Sequence, residues 1–118
     1  AKLHKVATGN PTVVSAREAL AMATIDGARA IHQDDRIGSL EIGKAADLII
    51  VGLDAPHQTP LYDVYSHLVY TTKASDVRTV IVNGRVVVED RQIKTLDAAA
   101  VLKQAREYRE RISAALRK

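Results

Sequence analysis

Val77-Arg-Thr-Val-Ile-Val-Asn83-Gly84-Arg-Val-Val-Val-Glu89 decides the reading of this chain. Val80-Ile-Val82 and Arg85-Val-Val-Val88 are β-branched runs on either side of Asn83-Gly84. A two-residue type I′ turn needs positive φ at both central positions, and Asn followed by Gly adopts it at least cost. The stretch therefore predicts a β-hairpin.

Working outward, Asp47-Leu-Ile-Ile-Val-Gly52 predicts a buried strand, and His67-Leu-Val-Tyr-Thr-Thr72 predicts another. Residues 53–63 between them contain Pro56 and Pro60 and read as an irregular connection. Residues 37–43 read as a short strand or turn, preceded by turn chemistry at Asp34-Asp-Arg-Ile-Gly38. Nearer the N-terminus, Gly9-Asn-Pro-Thr12 is a loop, and Ser15-Ala-Arg-Glu18 matches a capping box. Ala16, Ala19, Leu20 and Ala23 follow at helical spacing and predict a helix over about 16–31. Thr24 to Ala28 interrupts it with weak helix formers; close packing at Gly27 or a break between two short helices accounts for that. A final helix starts near Thr95 or Asp97, with an apolar stripe at Val101, Ala105, Tyr108, Ile112 and Ala115/Leu116. The pattern is α+β with a small antiparallel component.

The chain has 118 residues, 47% hydrophobic and 26% charged, with no Cys, Trp or Phe and four Tyr. That length suits one domain, and the apolar share excludes a disordered chain. Without Cys there is no disulfide, thiolate metal site or Cys nucleophile. No run approaches the ~18 apolar residues of a membrane helix, and no secretory leader is visible. These features suit a cytoplasmic protein. The chain starts at Ala1 without Met, which suggests processing or a piece of something longer.

The net charge is +3. It resides in the last segment, where Lys103, Arg106, Arg109, Arg111, Arg117 and Lys118 outnumber Glu107 and Glu110. A nucleic-acid surface usually adds stacking aromatics to a basic patch. The one aromatic here, Tyr108, sits on the apolar stripe, so the segment reads as a solvated helix face and no nucleic-acid partner is expected.

Several motifs resemble chemistry without completing it. Gly38-Ser-Leu-Glu-Ile-Gly-Lys-Ala45 nearly spells a phosphate-binding loop. Ala45 replaces the hydroxyl that would hold magnesium, and the predicted sequel is a strand rather than a helix. His4, His32, His57 and His67 lack the spacing of a local zinc site. Asp63 and His67 are four apart, but residues 62–66 do not read as helix, so they need not share a face. Ser15, Ser39, Ser66, Ser75 and Ser113 lack a nucleophile elbow, and Ser15 is already used as a cap. Asp34-Asp35 and Glu89-Asp90 are adjacent acids beside turns, which are ordinarily solvated rather than convergent. No catalytic, cofactor-binding or metal-ligating residue is assigned.

Ala19-Leu-Ala-Met-Ala-Thr-Ile-Asp-Gly-Ala28 and Ile37-Gly-Ser-Leu-Glu-Ile-Gly-Lys-Ala-Ala-Asp-Leu-Ile-Ile-Val51 resemble the C-terminal part of the metal-dependent amidohydrolase superfamily. Pro56 to Asp63, Ser66 to Tyr70 and Asp76 to Asp90 narrow the resemblance to the chlorohydrolase and deaminase branch, and within it to the 5-methylthioadenosine/S-adenosylhomocysteine deaminases. The resemblance covers essentially the whole chain. It implies a β/α barrel that carries the metal, zinc or iron, and a small β-sandwich built from both chain ends. Residues 1–35 would then be the last barrel helices, 36–94 the C-terminal strands of the sandwich, and 95–118 a terminal helix. The family's metal ligands are an H-x-H pair, two later His and an Asp, all upstream of the matched part. No H-x-H occurs here, so no ligand is carried over, and His4 matches a common family position without a ligand role.

The implied function is that of a structural segment of a hydrolytic deaminase. In the intact enzyme a metal-bound water would displace ammonia from a small-molecule, adenosine-type substrate. The alternatives are a triazine-type chlorohydrolase or other aminohydrolase as parent, or a free-standing, non-catalytic assembly domain. A sandwich lacking its other strands leaves unpaired edges. The isolated chain is therefore expected to be a homo-oligomer or strand-swapped dimer, or marginally stable.

Overall fold

The computed structural model describes residues 1–117. Three short helices come first: α1 (Lys2–Thr8), α2 (Ala16–Met22) and α3 (Ile25–Ala30). Strand β1 (Leu48–Val51) follows, then a 3-10 turn (Pro56–Gln58) and α4 (Val64–Ser66), which runs on through a wide π turn (His67–Thr71). A second 3-10 turn (Ala74–Asp76) leads into β2 (Val77–Val82), β3 (Arg85–Glu89) and β4 (Gln92–Ile93), and the described part closes with α5 (Ala98–Leu116). The α+β reading holds, with the four strands in one antiparallel sheet ordered β1-β2-β3-β4.

The hairpin forms as its sequence predicts, with φ of 49° at Asn83 and 75° at Gly84. Its tip is also tied to the strand beside it. The Asn83 amide donates to Asp47 Oδ1 at 2.6 Å, and the Gly84 amide donates to the Ala46 carbonyl at 3.0 Å. These bonds fix the register in which Leu48 faces Ile81 and Ile50 faces Thr79.

The predicted helix over 16–31 is two helices. The Ser15 capping box is complete: its hydroxyl accepts from the Glu18 amide at 3.3 Å, and the Glu18 carboxylate accepts from the Ser15 amide at 2.7 Å. The break falls at Thr24, whose hydroxyl bonds back to the Leu20 carbonyl at 2.7 Å. A Cβ on Gly27 would lie 2.9 Å from the Met22 carbonyl oxygen, so close packing explains the glycine as well.

One predicted strand is wrong. Residues 67–72 are not extended: His67–Thr71 continues the helical path begun at Val64. Asp63 starts it, its carboxylate accepting from the Ser66 amide at 2.7 Å. Tyr70, inside the predicted strand, and Tyr65 before it instead pack on the N-terminal helices: Arg17 of α2 lies 4.1 Å from the Tyr65 ring centroid, and Lys2 of α1 lies 6.0 Å from that of Tyr70. Tertiary packing has overridden a propensity that is intrinsically weak. The adjacent reading of residues 62–66 as non-helical fails with it for Val64–Ser66, and the His67 amide donates to the Asp63 carbonyl at 3.0 Å. Residues 37–43 are turns, with no strand.

The strand over residues 48–51 is present but not buried: Ile49 is 56% exposed and Ile50 50%. On one face Ile49, Val80, Val88 and Ile93 are cross-strand neighbours, and on the other Leu48, Ile81 and Val86. Among the described residues neither face is covered by a second layer. Among the described residues the only fully buried apolar side is Ala28, and the only buried polar residue is Gln58. The radius of gyration is 19.6 Å, against about 13–14 Å for a compact domain of this length. The accessible surface is 9333 Å², where a compact globule of this mass exposes roughly 6,300 Å². Every residue of α5 is exposed.

Candidate functional site

The densest polar cluster lies where the chain leaves β1, loops through residues 53–63 and returns along α4 to the start of β2. Gln58 anchors it at 1% exposure. Its Nε2 donates to the Gly52 carbonyl at 3.0 Å, and its own main-chain carbonyl meets His67 Nε2 at 3.0 Å. Gln58 Oε1 and Thr72 Oγ1 are buried without a protein partner.

Beside it, His57 Nε2 is 2.9 Å from Asp76 Oδ2, and the same oxygen accepts from the Lys73 amide at 2.8 Å. The Asp76 side chain is 8% exposed, that of His57 32%. The Lys73 amide, then His57, hold the Asp76 carboxyl below the ordinary carboxylate range. Asp63 is lowered for the same kind of reason, first by the Ser66 amide and hydroxyl, then by the charges of Arg17 and His67. At the rim, Arg78 pairs with Asp54 and lowers that carboxyl too.

These side chains bind main-chain groups and tie three segments together. Asp76 and Asp63 satisfy amides at the starts of helical turns, and His57 bridges the loop to the start of β2. The Ser66 hydroxyl turns to the Asp63 carboxylate that caps its own helix, and the two histidines meet Asp76, the Asp63 carbonyl and the Gln58 carbonyl. The sequence reading missed the cluster because its members are dispersed: His57 and Asp76 are 19 residues apart. The one local signal was an Asp three residues before an amide that needs a cap, at Asp63-x-x-Ser66.

The features singled out by sequence lie apart from one another. The Gly38–Lys44 turn bonds to itself: Lys44 Nζ reaches Ser39 Oγ at 2.6 Å and Glu41 at 3.2 Å, and β1 follows it. That arrangement presents no helix N-terminus to a phosphate. His4 is exposed on α1, and His32 is exposed in the turn after α3. Glu89 pairs with Lys94 at 3.0 Å and Asp34 lies 3.9 Å from Arg29, both at the surface. Among the described residues no group of three or more His, Asp or Glu converges as a metal site would require. His57 and His67 are each engaged with a protein partner. The basic residues of the last segment are spread around α5, and Lys118 lies outside the described residues. No described helix is long and apolar enough to cross a membrane.

Residues 1–87 match the amidohydrolase family. The chain is 46% identical over 114 residues to a 5'-deoxyadenosine deaminase of Methanosarcina acetivorans, a match covering 97% of this chain and 26% of that protein. It is 47% identical over 106 residues to a 5-methylthioadenosine/S-adenosylhomocysteine deaminase of Syntrophobacter fumaroxidans, covering 90% of this chain and 24% of the relative. Among solved structures, an adenosine deaminase of Xanthomonas campestris with bound zinc superposes with a TM-score of 0.87 at 38% identity. That superposition covers 96% of this chain and 26% of the other. The chain thus spans about a quarter of the length of the curated relatives it matches.

Proposed function

The chain belongs to the amidohydrolase family, and on that premise we propose that it is the C-terminal structural segment of a hydrolytic deaminase of adenosine-type nucleosides, of the 5-methylthioadenosine/S-adenosylhomocysteine type. The observation that carries this reading is the near-complete likeness of the chain to only a quarter of relatives named for such substrates. The absence of a core among the described residues supports it physically. A sheet apolar on both faces, with half-exposed Ile49, Ile50 and Ile93, is built to be covered by other parts of a larger protein.

In this reading residues 1–35 pack on a barrel, 36–94 contribute strands to a sandwich, and 95–118 form the terminal helix. The segment contributes no catalytic residue. The zinc or iron of the intact enzyme, which would supply an activated water for displacement of the amino group, is held by residues outside this chain. What this chain's own residues do is positional: the Gln58–His67 and His57–Asp76 pairs set the path from β1 through α4 to β2, and Asp47 locks the hairpin tip.

The test is metal content and ammonia release from 5′-methylthioadenosine, measured on the purified 118-residue chain and on a chimera. The chimera replaces the matching quarter of the Syntrophobacter deaminase with this chain. The expected result is no turnover by the chain alone and turnover by the chimera. Turnover with stoichiometric metal by the chain alone would overturn the reading, and a folded but inactive chimera would favour a free-standing assembly domain.

A further inference from the structure

We propose, independently of the function above, that Asn83-Gly84 is a site of spontaneous deamidation, and that the bonds tying the hairpin tip to residues 46–47 hold the reaction in check. Asparagine is among the thermolabile residues. Its deamidation begins when the next main-chain nitrogen, deprotonated by solvent base, attacks the side-chain carbonyl carbon. Here a bond forms between the Gly84 nitrogen and Asn83 Cγ, and the bond from Cγ to Nδ2 breaks. Ammonia leaves, taking up a proton in place of the one Gly84 lost. Water then opens the cyclic imide at either carbonyl, which gives aspartate or isoaspartate at position 83. Glycine has no Cβ to crowd the attacking nitrogen. The chain holds two asparagines, and the other, Asn10, precedes Pro11. A proline nitrogen has no proton to lose, so by this route Asn83 alone reacts.

The fold restrains this step at the nucleophile. The Gly84 amide donates to the Ala46 carbonyl at 3.0 Å, and the Asn83 amide before it donates to Asp47 Oδ1 at 2.6 Å. An amide engaged in this way gives up its proton only when the structure around it opens locally. Asp47 and Ala46 thus guard the turn from a segment more than thirty residues earlier in the chain, as the separation of 36 between Asp47 and Asn83 records.

The reaction also undoes its own restraint. Isoaspartate lengthens the main chain by one carbon inside a two-residue turn, and the length of that turn sets the strand register. Either product places a carboxylate on the residue whose amide Asp47 binds, and like charges repel. With the ammonia gone, the loosened tip cannot revert.

Peptide mapping of the full chain, aged at mildly alkaline pH in buffer and in urea, tests the proposal. Trypsin cuts after Arg78 and Arg85 and releases residues 79–85. Mass spectrometry then counts the acid form of that peptide, and isoaspartate methyltransferase labels the isomer. Deamidation should run about tenfold or more faster in urea than in buffer, because the folded tip is open only part of the time. D47A should speed the reaction in buffer about three- to tenfold, the worth of one hydrogen bond. It should raise hydrogen exchange of the Gly84 amide by the same factor. D47N keeps an acceptor oxygen and should stay close to the original rate. Circular dichroism checks that each variant folds, and the comparison of buffer with urea decides the matter if D47A does not. Equal rates in buffer and urea, or a residue 83 that keeps its amide even in urea, would overturn the proposal. So would a folded D47A that ages unchanged, or one that ages faster without faster exchange at Gly84.

Discussion

Asp76 and Asp63 use their carboxylates to satisfy main-chain amides, and both titrate below the ordinary value of 3.8. Their contribution to stability is therefore complete above about pH 4 and is lost as pH falls through their lowered folded-state values. Thermal melts between pH 7 and pH 2.5 should show stability falling in that acid window. D76N should be less stable at neutral pH and show a shallower acid loss; an unchanged slope would remove Asp76 from the account. The glycines provide a second residue-scale test. Gly38 and Gly43 have φ of 91° and 95°, so alanine is strained at either. A Cβ on Gly38 would also lie 2.7 Å from Ala28 Cβ and 2.9 Å from Ile25 Cα, whereas Gly43 has nothing within 4 Å. G43A should cost about 1–2 kcal/mol. G38A should exceed it by roughly 1–3 kcal/mol of overpacking, as chemical denaturation of the two variants would measure.

Elements defined by their own residues were legible in the sequence. The hairpin, the capped start of α2 and the start of α5 at Asp97 each depend on bonds between near neighbours: Asp97 Oδ1 accepts from the Ala100 amide at 3.0 Å. S15A and D97A should each lower the helicity of their own helix, at about 1 kcal/mol per cap, and hydrogen exchange should place the loss in α2 or α5 and nowhere else. The helix over residues 64–71 was not legible, because His67-Leu-Val-Tyr-Thr has strand-like composition. Its state is set by Asp63 at one end and by α1 and α2 alongside. D63A should therefore loosen α4 together with the contact of Tyr65 on Arg17. Retained protection of the Ser66 and His67 amides in D63A would count against that. The Gln58 cluster was invisible for the same reason: its partners come from separate parts of the chain.

At the scale of the whole molecule, the surface of 9333 Å² exceeds that of a compact globule by roughly 3,000 Å². Half-exposed apolar side chains lie on both sheet faces, among them Ile49, Ile50 and Ile93, and along α5, among them Val101 and Ile112. The isolated chain should bind an apolar fluorescent dye and melt over a broad range, while its incorporation into the chimera should abolish dye binding and sharpen the transition. A sharp, dye-free melt of the chain alone would contradict the view that these faces await a cover. The sequence by itself determined the α+β class, the hairpin, the capped helices and the resemblance to the amidohydrolases, because each rests on short-range geometry or on residues in order along the chain. Only the tertiary structure decided that residues 67–71 are helical, that Gln58, His57, His67, Asp63 and Asp76 gather at one junction, and that the apolar strands are left uncovered. Burial depends on what stands opposite a face, and a hydrophobic pattern states only that something should.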